Sequence, residues 1–335
     1  MIKFSSMALA VVVAGLATHT AAAQDKPVLT AYTYDSFAAE WGPGPLLKAG
    51  FETQCGCELN WVVADSSIGT LRRVQLEGEA TEADLIVGLD TAIMGEAAST
   101  GLFAEHGLTL DGLVLPESWA DASFVPIDYS HFAFMYDTDT TEVPPTSFEE
   151  LIALPDSVKV VIQDPRSSTP GLGLVLWVKA AYGDRAPEIW AGLKPHLLTI
   201  TKDWSEAYSL FLDGEADMVL SYTTSPAYHI VAEGDDTIKA ALFSEGHFPQ
   251  IEVAGVLKSS DQQELAQQFL AYLVSPEGQG IIPTTNWMFP VVDLGEGLDP
   301  AFAALPQPEK TLTLPDADIE ANAQAWIAEM LAAVQ

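Results

Sequence analysis

The chain has 335 residues, and its 47 acidic and 14 basic side chains give it a formal net charge of −33. Since 48% of the residues are hydrophobic, the chain can bury folded cores, and its length predicts about two domains. Nucleic acids and anionic membrane surfaces bind clustered Lys and Arg, so this charge argues against both partners and is compatible with a cationic small ligand.

Residues 1–23 have the three-part layout of a secretory signal peptide. Lys3 gives the segment a positive start, Met7–Leu16 is apolar, and Ala21–Ala23 supplies the small residues of a cleavage site. The apolar run is much shorter than the roughly 20 residues that a membrane span requires. We therefore expect residues 1–23 to be removed and the product to be exported.

Beyond the signal segment, apolar runs and helical spacings alternate along the chain. Strands are predicted at Val28–Tyr32, Leu59–Val63, Ala83–Gly88, Phe132–Tyr136, Val158–Ile162 and Met218–Ser221. Helices are predicted at Leu46–Thr53, Thr70–Glu77, Thr91–Thr100, Gly173–Tyr182, Ser205–Asp213, Gln262–Val274 and Asp318–Val334. This alternation favours mostly parallel, doubly wound sheets in two lobes, with a ligand cleft at the carboxyl ends of the strands. Either a bilobed binding protein or an exported α/β enzyme fits the pattern.

Motifs of catalysis and of metal binding are missing from the sequence. It contains no G-x-S-x-G, H-E-x-x-H or G-x-x-x-x-G-K-[ST] motif, and its six His are scattered without ligand spacing. Its two Cys, Cys55 and Cys57, flank a single glycine. Export permits a disulfide between them, but the ring would be small, so a bridge and a catalytic thiol both stay open. No cofactor or metal ion is predicted.

Polar and aromatic residues cluster in the loops that follow predicted strands. Their segments are Tyr32–Phe37, Asp164–Gly173, Lys202–Ser205, Ser221–Tyr228 and Thr285–Pro290. The second segment enters a helix, where hydroxyls and free N–H groups can hold a phosphate or carboxylate, although an ordinary capped turn explains it equally. Aromatic faces attract an organic cation by about 0.5–2 kcal/mol each, although simple packing is the alternative. A wall of Trp204, Tyr222, Tyr228 and Trp287 would suit a flat cationic ring.

Segments in a fixed order along nearly the whole mature chain carry a family resemblance. They are Tyr32–Pro45, Cys55–Leu59, Ala83–Asp90, Gln163–Leu174, Trp204–Tyr208, Leu220–His229, Phe243–His247 and Asn286–Pro290. Through them the chain resembles the thiamine-binding periplasmic proteins of bacterial ABC importers. Any one segment alone would be a weak signal, whereas the ordered set is specific.

The resemblance implies the type II periplasmic-binding-protein fold, an α/β architecture with two doubly wound lobes and a cleft between them. Two strands are expected to cross between the lobes, near Phe124–Tyr136 and His247–Val256. We expect residues 24–126 plus 248–285 to form lobe 1, and residues 127–247 plus 286–335 to form lobe 2. The implied protein is a periplasmic monomer that is not an enzyme. It binds thiamine or its mono- or diphosphate and delivers it to an inner-membrane ABC permease.

The resemblance also implies the ligand contacts. They are Ser168, Thr169, Trp204, Tyr222, Thr223, Thr224, Ser225 and Trp287, with Tyr34 and Tyr228 flanking the site. Aromatic side chains would hold the thiazolium and pyrimidine rings, Ser168 and Thr169 would face the hydroxyethyl or phosphate end, and closure of the lobes would bury the vitamin.

The chain departs from the family pattern after the second strand. Ser66 and Ser67 stand where the family has Asp-Gly, and Asp65 stands one place earlier. An Asp would bond an aminopyrimidine more strongly than a Ser, because its carboxylate is charged. Either Asp65 takes over this contact, or the contacts in this part of the site differ.

Two rival functions compete with this interpretation. Secreted thiaminases resemble the same fold and use a Cys thiolate, but neither Cys55 nor Cys57 has an evident base nearby. A binding protein for iron or another cation would need paired tyrosines or carboxylates, which Tyr222 and Tyr228, spaced across Thr-Thr-Ser, match poorly.

Overall fold

In the computed structural model, which describes residues 26–116 and 118–334, strands and helices alternate as the sequence pattern predicts. The predicted signal peptide and its cleavage site lie outside the described residues. The strands are β1 (Val28–Tyr34), β2 (Glu58–Ala64), β3 (Leu85–Asp90), β4 (Phe124–Asp137), β5 (Val160–Gln163), β6 (Leu197–Thr201), β7 (Met218–Tyr222), β8 (Ile238–Ala241), β9 (Pro249–Val256) and β10 (Phe289–Pro290).

The helices fall between these strands and after the last of them. They are α1 (Asp35–Ala38), α2 (Gly44–Cys55), α3 (Ser67–Glu77), α4 (Thr91–Ser99), α5 (Phe148–Leu151), α6 (Thr169–Tyr182), α7 (Ala186–Leu193), α8 (Trp204–Leu212), α9 (Pro226–Tyr228), α10 (Gln263–Leu273), α11 (Pro276–Gln279), α12 (Pro300–Ala304) and α13 (Asp316–Val334). In the part of the chain that the structure describes, no helix combines the length and apolarity needed to cross a membrane.

The first lobe is built on the strand order β2-β1-β3-β9-β4. β1 runs parallel to both β2 and β3, and successive residues of β1 enter different cores. Leu29 and Ala31 pack with α2 and α10 on one face, whereas Tyr32 packs with α3 on the other. Helices therefore cover both faces of the sheet, as a doubly wound fold requires.

The second lobe repeats this arrangement in its own order, β6-β5-β7-β4-β8. β5 is parallel to β6 and β7, and β4 is antiparallel to β7 and β8. Helix α8 lies on one face, and α6 lies on the other under α7 and α13. The two lobes confirm the expected type II fold, in which the strand that arrives from the other lobe is inserted beside the third strand of each sheet, β9 beside β3 and β4 beside β7.

The strands β4 and β9 connect the two lobes, close to where the crossings were expected. Residues 124–131 of β4 pair with β9, and residues 132–137 pair with β7 and β8. β9 is antiparallel to β3 and to β4, and β4 is antiparallel to β7. The sheet is therefore more mixed than the alternation pattern predicts. The expected lobe boundaries stay a prediction.

A disulfide joins Cys55 and Cys57, which settles the alternatives that the sequence leaves open. The bridge lies where α2 ends and β2 begins. Gly56 ends the helix in the left-handed region, with a φ of 65°, and its N–H donates to the carbonyl of Glu52. Cys57 is buried in the first-lobe core beside Phe51. Neither sulfur is a free thiol.

Candidate functional site

A cavity of about 600 Å³ opens where residues of the two lobes face each other. Its walls are the loops and helix starts that follow β1 and β2 in the first lobe and β5, β6 and β7 in the second. This volume suits a small organic ligand. Most of the residues expected in the site line it together: Tyr34, Asp65, Ser66, Ser67, Ser168, Thr169, Trp204, Tyr222, Ser225, Tyr228 and Trp287.

Thr223 and Thr224, which were expected to contact the ligand, do not line the cavity. Both are buried behind its wall. The Thr224 hydroxyl donates to Oγ of Ser130 at 3.0 Å, and the Thr223 hydroxyl lies 3.2 Å from the same oxygen. Because the chain turns at the end of β7, Tyr222 and Ser225 face the cavity while the two threonines point back and fasten the turn to β4.

Two aromatic pairs form the second-lobe side of the cavity. The rings of Trp204 and Tyr208 are stacked, with centroids 4.7 Å apart. Trp204 Nε1 donates to Oγ of Ser221 at 2.9 Å, which fixes the indole plane. Trp287 meets Tyr228 edge to face at 5.2 Å. These flat faces can hold a planar ring, and a positively charged ring gains most from them.

Trp287 also has an unusual backbone conformation. Its φ is 56°, and among the described residues it alone combines a positive φ with a side chain other than hydrogen. A bulky residue in the left-handed region costs about 1–2 kcal/mol. Such a conformation persists only where the surrounding structure holds it, and it often occurs at functional sites. In this protein, the conformation places the indole at the cavity wall.

Hydroxyl groups and helix starts line another part of the cavity. Ser66 is the N-cap of α3, and its Oγ accepts the N–H of Gly69 at 3.0 Å. Ser168 precedes α6 and Thr169 begins it, and both are buried at the cavity wall. Asp65 stands beside Ser66 in the lining. The Ser66 oxygen already caps a helix, and Asp65 is the carboxylate that lines the cavity at this point, so the choice between the two expected alternatives stays a prediction.

The sequence reasoning missed the most unusual residue of the cavity, Glu252 on β9. It is buried in a strand whose other positions are buried too, and it lines the cavity. The hydroxyl of Tyr34 lies 2.9 Å from both of its carboxyl oxygens. Burial, followed by the charge of Asp128, raises the pKa of Glu252 well above its ordinary value. Burial likewise raises the pKa of Tyr34.

Two further acids lie beside Glu252. Asn286 donates its side-chain N–H to Oδ2 of Asp128 at 2.7 Å, and Asp90 accepts the N–H of Ala92 as the N-cap of α4. Burial raises the pKa of Asp90 and of Asp128 to about 7 in each case. A single Asp or Glu within an otherwise apolar strand is the sequence signal that could have revealed these buried acids. A buried charge needs a partner, so an acid at such a position is unusual.

Tyr34 can approach these acids because Gly88 leaves room for its ring. Gly88 has a φ of 88°, and a Cβ at this position would overlap Tyr34.

The same site contains further residues that were not proposed from the sequence: Asp35, Ser36, Trp41, Pro170, Asp203, Ser205, Tyr208, Ser209, Leu212, Thr284, Asn286 and Met288. Many of them lie in the segments that carry the family resemblance.

The lining is acidic. Asp35, Asp65, Asp203 and Glu252 belong to it, whereas no Lys, Arg or His of the described residues does. On the second-lobe rim, Lys202 is exposed and paired with Asp203 at 3.3 Å. Among the described residues, no three His, Cys, Asp or Glu side chains converge as ligands of a metal ion. The cavity therefore favours an organic cation.

Comparison with known proteins gives a consistent family picture. Residues 27–280 match the family model described as bacterial extracellular solute-binding protein. The chain is 50% identical over 309 residues to the thiamine-binding periplasmic protein of Escherichia coli (strain K12), with 92% of this chain and 94% of that protein covered. It is 48% identical over 312 residues to the protein of the same name from Brucella abortus biovar 1 (strain 9-941), with 93% of each covered.

Solved structures resemble the model along nearly the full chain. A periplasmic thiamin binding protein superposes with a TM-score of 0.90 at 50% identity, with 92% of this chain and 97% of that one covered. Iron-bound HitA from Pseudomonas aeruginosa superposes with a TM-score of 0.73 at 22% identity, with 91% and 99% covered. At that identity the second likeness concerns the fold alone.

Proposed function

Because the chain belongs to the bacterial extracellular solute-binding protein family, and within it to the thiamine-binding periplasmic proteins, we propose that it captures thiamine in the cleft between its lobes. It is a binding protein and not an enzyme, in keeping with relatives that are named thiamine-binding periplasmic proteins. The observation that carries the ligand assignment is the acidic, aromatic lining. Thiamine is a flat organic cation, and such a ring gains from stacked aromatics and from nearby carboxylates.

We infer the orientation of the ligand from the groups that line the cavity. The thiazolium and pyrimidine rings lie against Trp204 and Trp287, and Asp65 is the hydrogen-bond acceptor for the amino group of the pyrimidine. The hydroxyethyl end then faces Ser168 and Thr169, whose helix start offers free N–H groups. Closure of the lobes over the rings excludes water from these contacts.

The phosphate esters of thiamine bind at the same place, with the phosphate held by these hydroxyls and N–H groups. Since no basic side chain of the described residues lines the cavity, additional phosphate charge brings no additional attraction. We therefore expect thiamine to bind at least as tightly as its monophosphate, and the monophosphate at least as tightly as the diphosphate.

Delivery to an inner-membrane ABC permease completes the proposed role. The chain is exported through a signal peptide that is cleaved after Ala23, and it acts in the periplasm as a monomer. Closing the cleft presents residues of both lobes as one surface, and the permease recognises this closed form. The periplasmic names of the relatives support this location.

The two rival functions have less support. A thiaminase needs a Cys thiolate as its nucleophile, and the disulfide occupies the sulfurs of both Cys55 and Cys57. Relatives named as iron uptake proteins are only 24% identical to this chain, over about three quarters of its length. This similarity supports a shared fold and not a shared ligand.

Calorimetric titration of the mature chain, Gln24–Gln335, tests the proposal. Copurified ligand is first removed by unfolding, dialysis and refolding, and circular dichroism verifies the fold. We expect one-to-one binding of thiamine and the ranking given above. Absence of heat with all three compounds, together with no binding in equilibrium dialysis, would exclude thiamine as the ligand.

A further inference from the structure

Three carboxylates stand in one row across the sheet beneath the cleft. Asp90 of β3 is the register partner of Glu252 of β9, and Glu252 is the register partner of Asp128 of β4. Directly opposite residues on neighbouring strands project from the same face with their Cβ atoms about 5 Å apart. The three side chains are 2%, 6% and 0% exposed, in the order Asp90, Glu252, Asp128. Like charges in this position repel strongly, since little water screens them.

The hydrogen bonds of the row come from neutral donors. Tyr34 donates its hydroxyl to Glu252, Gln250 adds a side-chain N–H at 3.2 Å, and Asn286 donates to Asp128. No lysine, arginine or histidine among the described residues makes a salt bridge to any member of the row. These donors satisfy individual oxygens but leave the summed negative charge without a counter-charge.

Two oxygens of the row have no hydrogen-bond partner although they are buried. They are Oδ2 of Asp90 and Oδ1 of Asp128, one on each side of Glu252. A buried carboxylate oxygen without a donor favours the protonated acid. The other titratable side chains that face Glu252 are Tyr34 on β1 and Tyr222 on β7, and burial raises the pKa of both, so neither supplies a charge.

We propose that this row holds at least one proton while the cleft is empty and that Glu252 releases a proton when a ring of fixed positive charge binds above it. Glu252 is the member of the row that reaches the cavity. The cation takes the place of the proton as the counter-charge, and the proton passes to the solvent, so charge is conserved. This inference rests on the proposed function, because it assumes that the ligand is the thiazolium cation of thiamine.

Coupling of this kind makes affinity depend on pH. Each proton released per ligand raises the association constant about ten-fold per pH unit. Burial raises the pKa of Asp90 and Asp128 to about 7 and that of Glu252 well above its ordinary value, so the row still carries protons near neutral pH. The other charged groups at the cleft are Asp35 and Asp65, which are exposed, and Asp203, which is buried and paired with the exposed Lys202.

The experiment counts protons directly. Thiamine, which has no phosphate to titrate, is bound to the ligand-free protein at about pH 7 in three buffers of different ionisation enthalpy. The slope of the observed heat against that enthalpy is the number of protons released. We expect about one for the wild type and close to zero for Glu252→Gln. The control Asp139→Asn, at an exposed turn outside the cavity, keeps the wild-type number.

A second arm tests the role of the positive charge. An analogue in which an uncharged thiophene replaces the thiazolium ring should bind at least about ten-fold more weakly than thiamine and release no proton. If Glu252→Gln does not fold, Asp128→Asn replaces it, and its proton count should fall below that of the wild type.

The outcomes separate the two proposals. One-to-one binding of thiamine with the same heat in all three buffers would overturn the proton release and leave the thiamine-binding function intact. Equal release by thiamine and the uncharged analogue would also overturn it. If thiamine does not bind at all, the proposed function itself is wrong.

Discussion

Trp204 lies face to face with Tyr208, with ring centroids 4.7 Å apart and an angle of 24° between the ring planes. The Tyr208 hydroxyl in turn lies 2.8 Å from Nε2 of His229, whose Nδ1 is 2.7 Å from a carboxyl oxygen of Glu233. Both aromatic rings line the cleft. The stack therefore presents a fixed aromatic surface that is held from behind by hydrogen bonds.

Replacing this surface should weaken ligand binding. We expect Trp204→Ala to lower thiamine affinity about ten-fold or more, which corresponds to at least about 1.4 kcal/mol, because a cation loses one aromatic face and water enters. Trp204→Phe keeps a ring and should lose less. Titration calorimetry at constant pH measures both. Equal affinities of wild type and Trp204→Ala would contradict the placement of the rings.

Trp287 allows a test that separates strain from binding. Its φ of 56° lies in the region that glycine adopts freely. Trp287→Ala and Trp287→Gly both remove the indole, so both should lower thiamine affinity about ten-fold or more. The Gly variant should nevertheless be about 1 kcal/mol more stable than the Ala variant, because the alanine Cβ retains the strain.

Thermal unfolding of the two ligand-free variants measures this difference. A Gly variant that is less stable than the Ala variant would mean that the backbone at this position relaxes once the indole is removed. The affinity result would still stand, since both variants lack the same ring.

Much of the fold could be predicted from periodicity, because most strands are short buried runs between helices. β4 shows the limit. Only Phe132–Tyr136 was predicted from the pattern, whereas the strand spans Phe124–Asp137. Asp128, Ser130 and His131 interrupt its apolar run, yet all three are buried. Buried polar residues at these positions hide the strand from a hydrophobic pattern.

The aromatic part of the candidate site could also be predicted, because its residues follow strands and share the segments of one family. The row of three acids across the sheet could not be predicted. Asp90, Asp128 and Glu252 are far apart in sequence, and only the pairing register of β3, β9 and β4 brings them side by side. The family resemblance implied ligand contacts at Thr223 and Thr224, but neither lines the cavity, because the direction of a turn cannot be read from its residue types.

The acidic row also predicts how the stability of the ligand-free protein depends on pH. Burial raises the pKa of Asp90 and Asp128 to about 7 and that of Glu252 well above its ordinary value, whereas in the unfolded chain all three titrate near 4. The folded state therefore holds more protons between about pH 4 and 7. The stability that these protons support is complete below about pH 4 and is lost as the pH rises through about 7.

The variant Asp128→Asn isolates this effect, since an amide cannot titrate. Relative to the wild type, it should gain stability as the pH rises from about 5 to about 8, by on the order of 2 kcal/mol. Thermal or urea unfolding of both proteins at several pH values gives the difference. Parallel stability curves would show that Asp128 does not carry a proton in the folded protein.

The disulfide at the other end of the first lobe should matter for stability and not for binding. It closes a very small ring, so the loop-entropy model assigns it only about 1–2 kcal/mol. It lies before β2, whereas Asp65 follows that strand. With seven residues at roughly 3.3 Å each, the strand separates the bridge from the cleft by about 20 Å.

The double variant Cys55→Ala, Cys57→Ala tests both halves of this expectation. Its free energy of unfolding should be lower by about 1–2 kcal/mol, which urea unfolding measures, and its thiamine affinity should equal that of the wild type. Reduction of the wild type with dithiothreitol is the matched control and should give the same loss of stability, because both treatments remove the same ring. A change in thiamine affinity in both preparations would show that the end of α2 is coupled to the cleft through β2, and that the aromatic and acidic residues alone do not set the affinity.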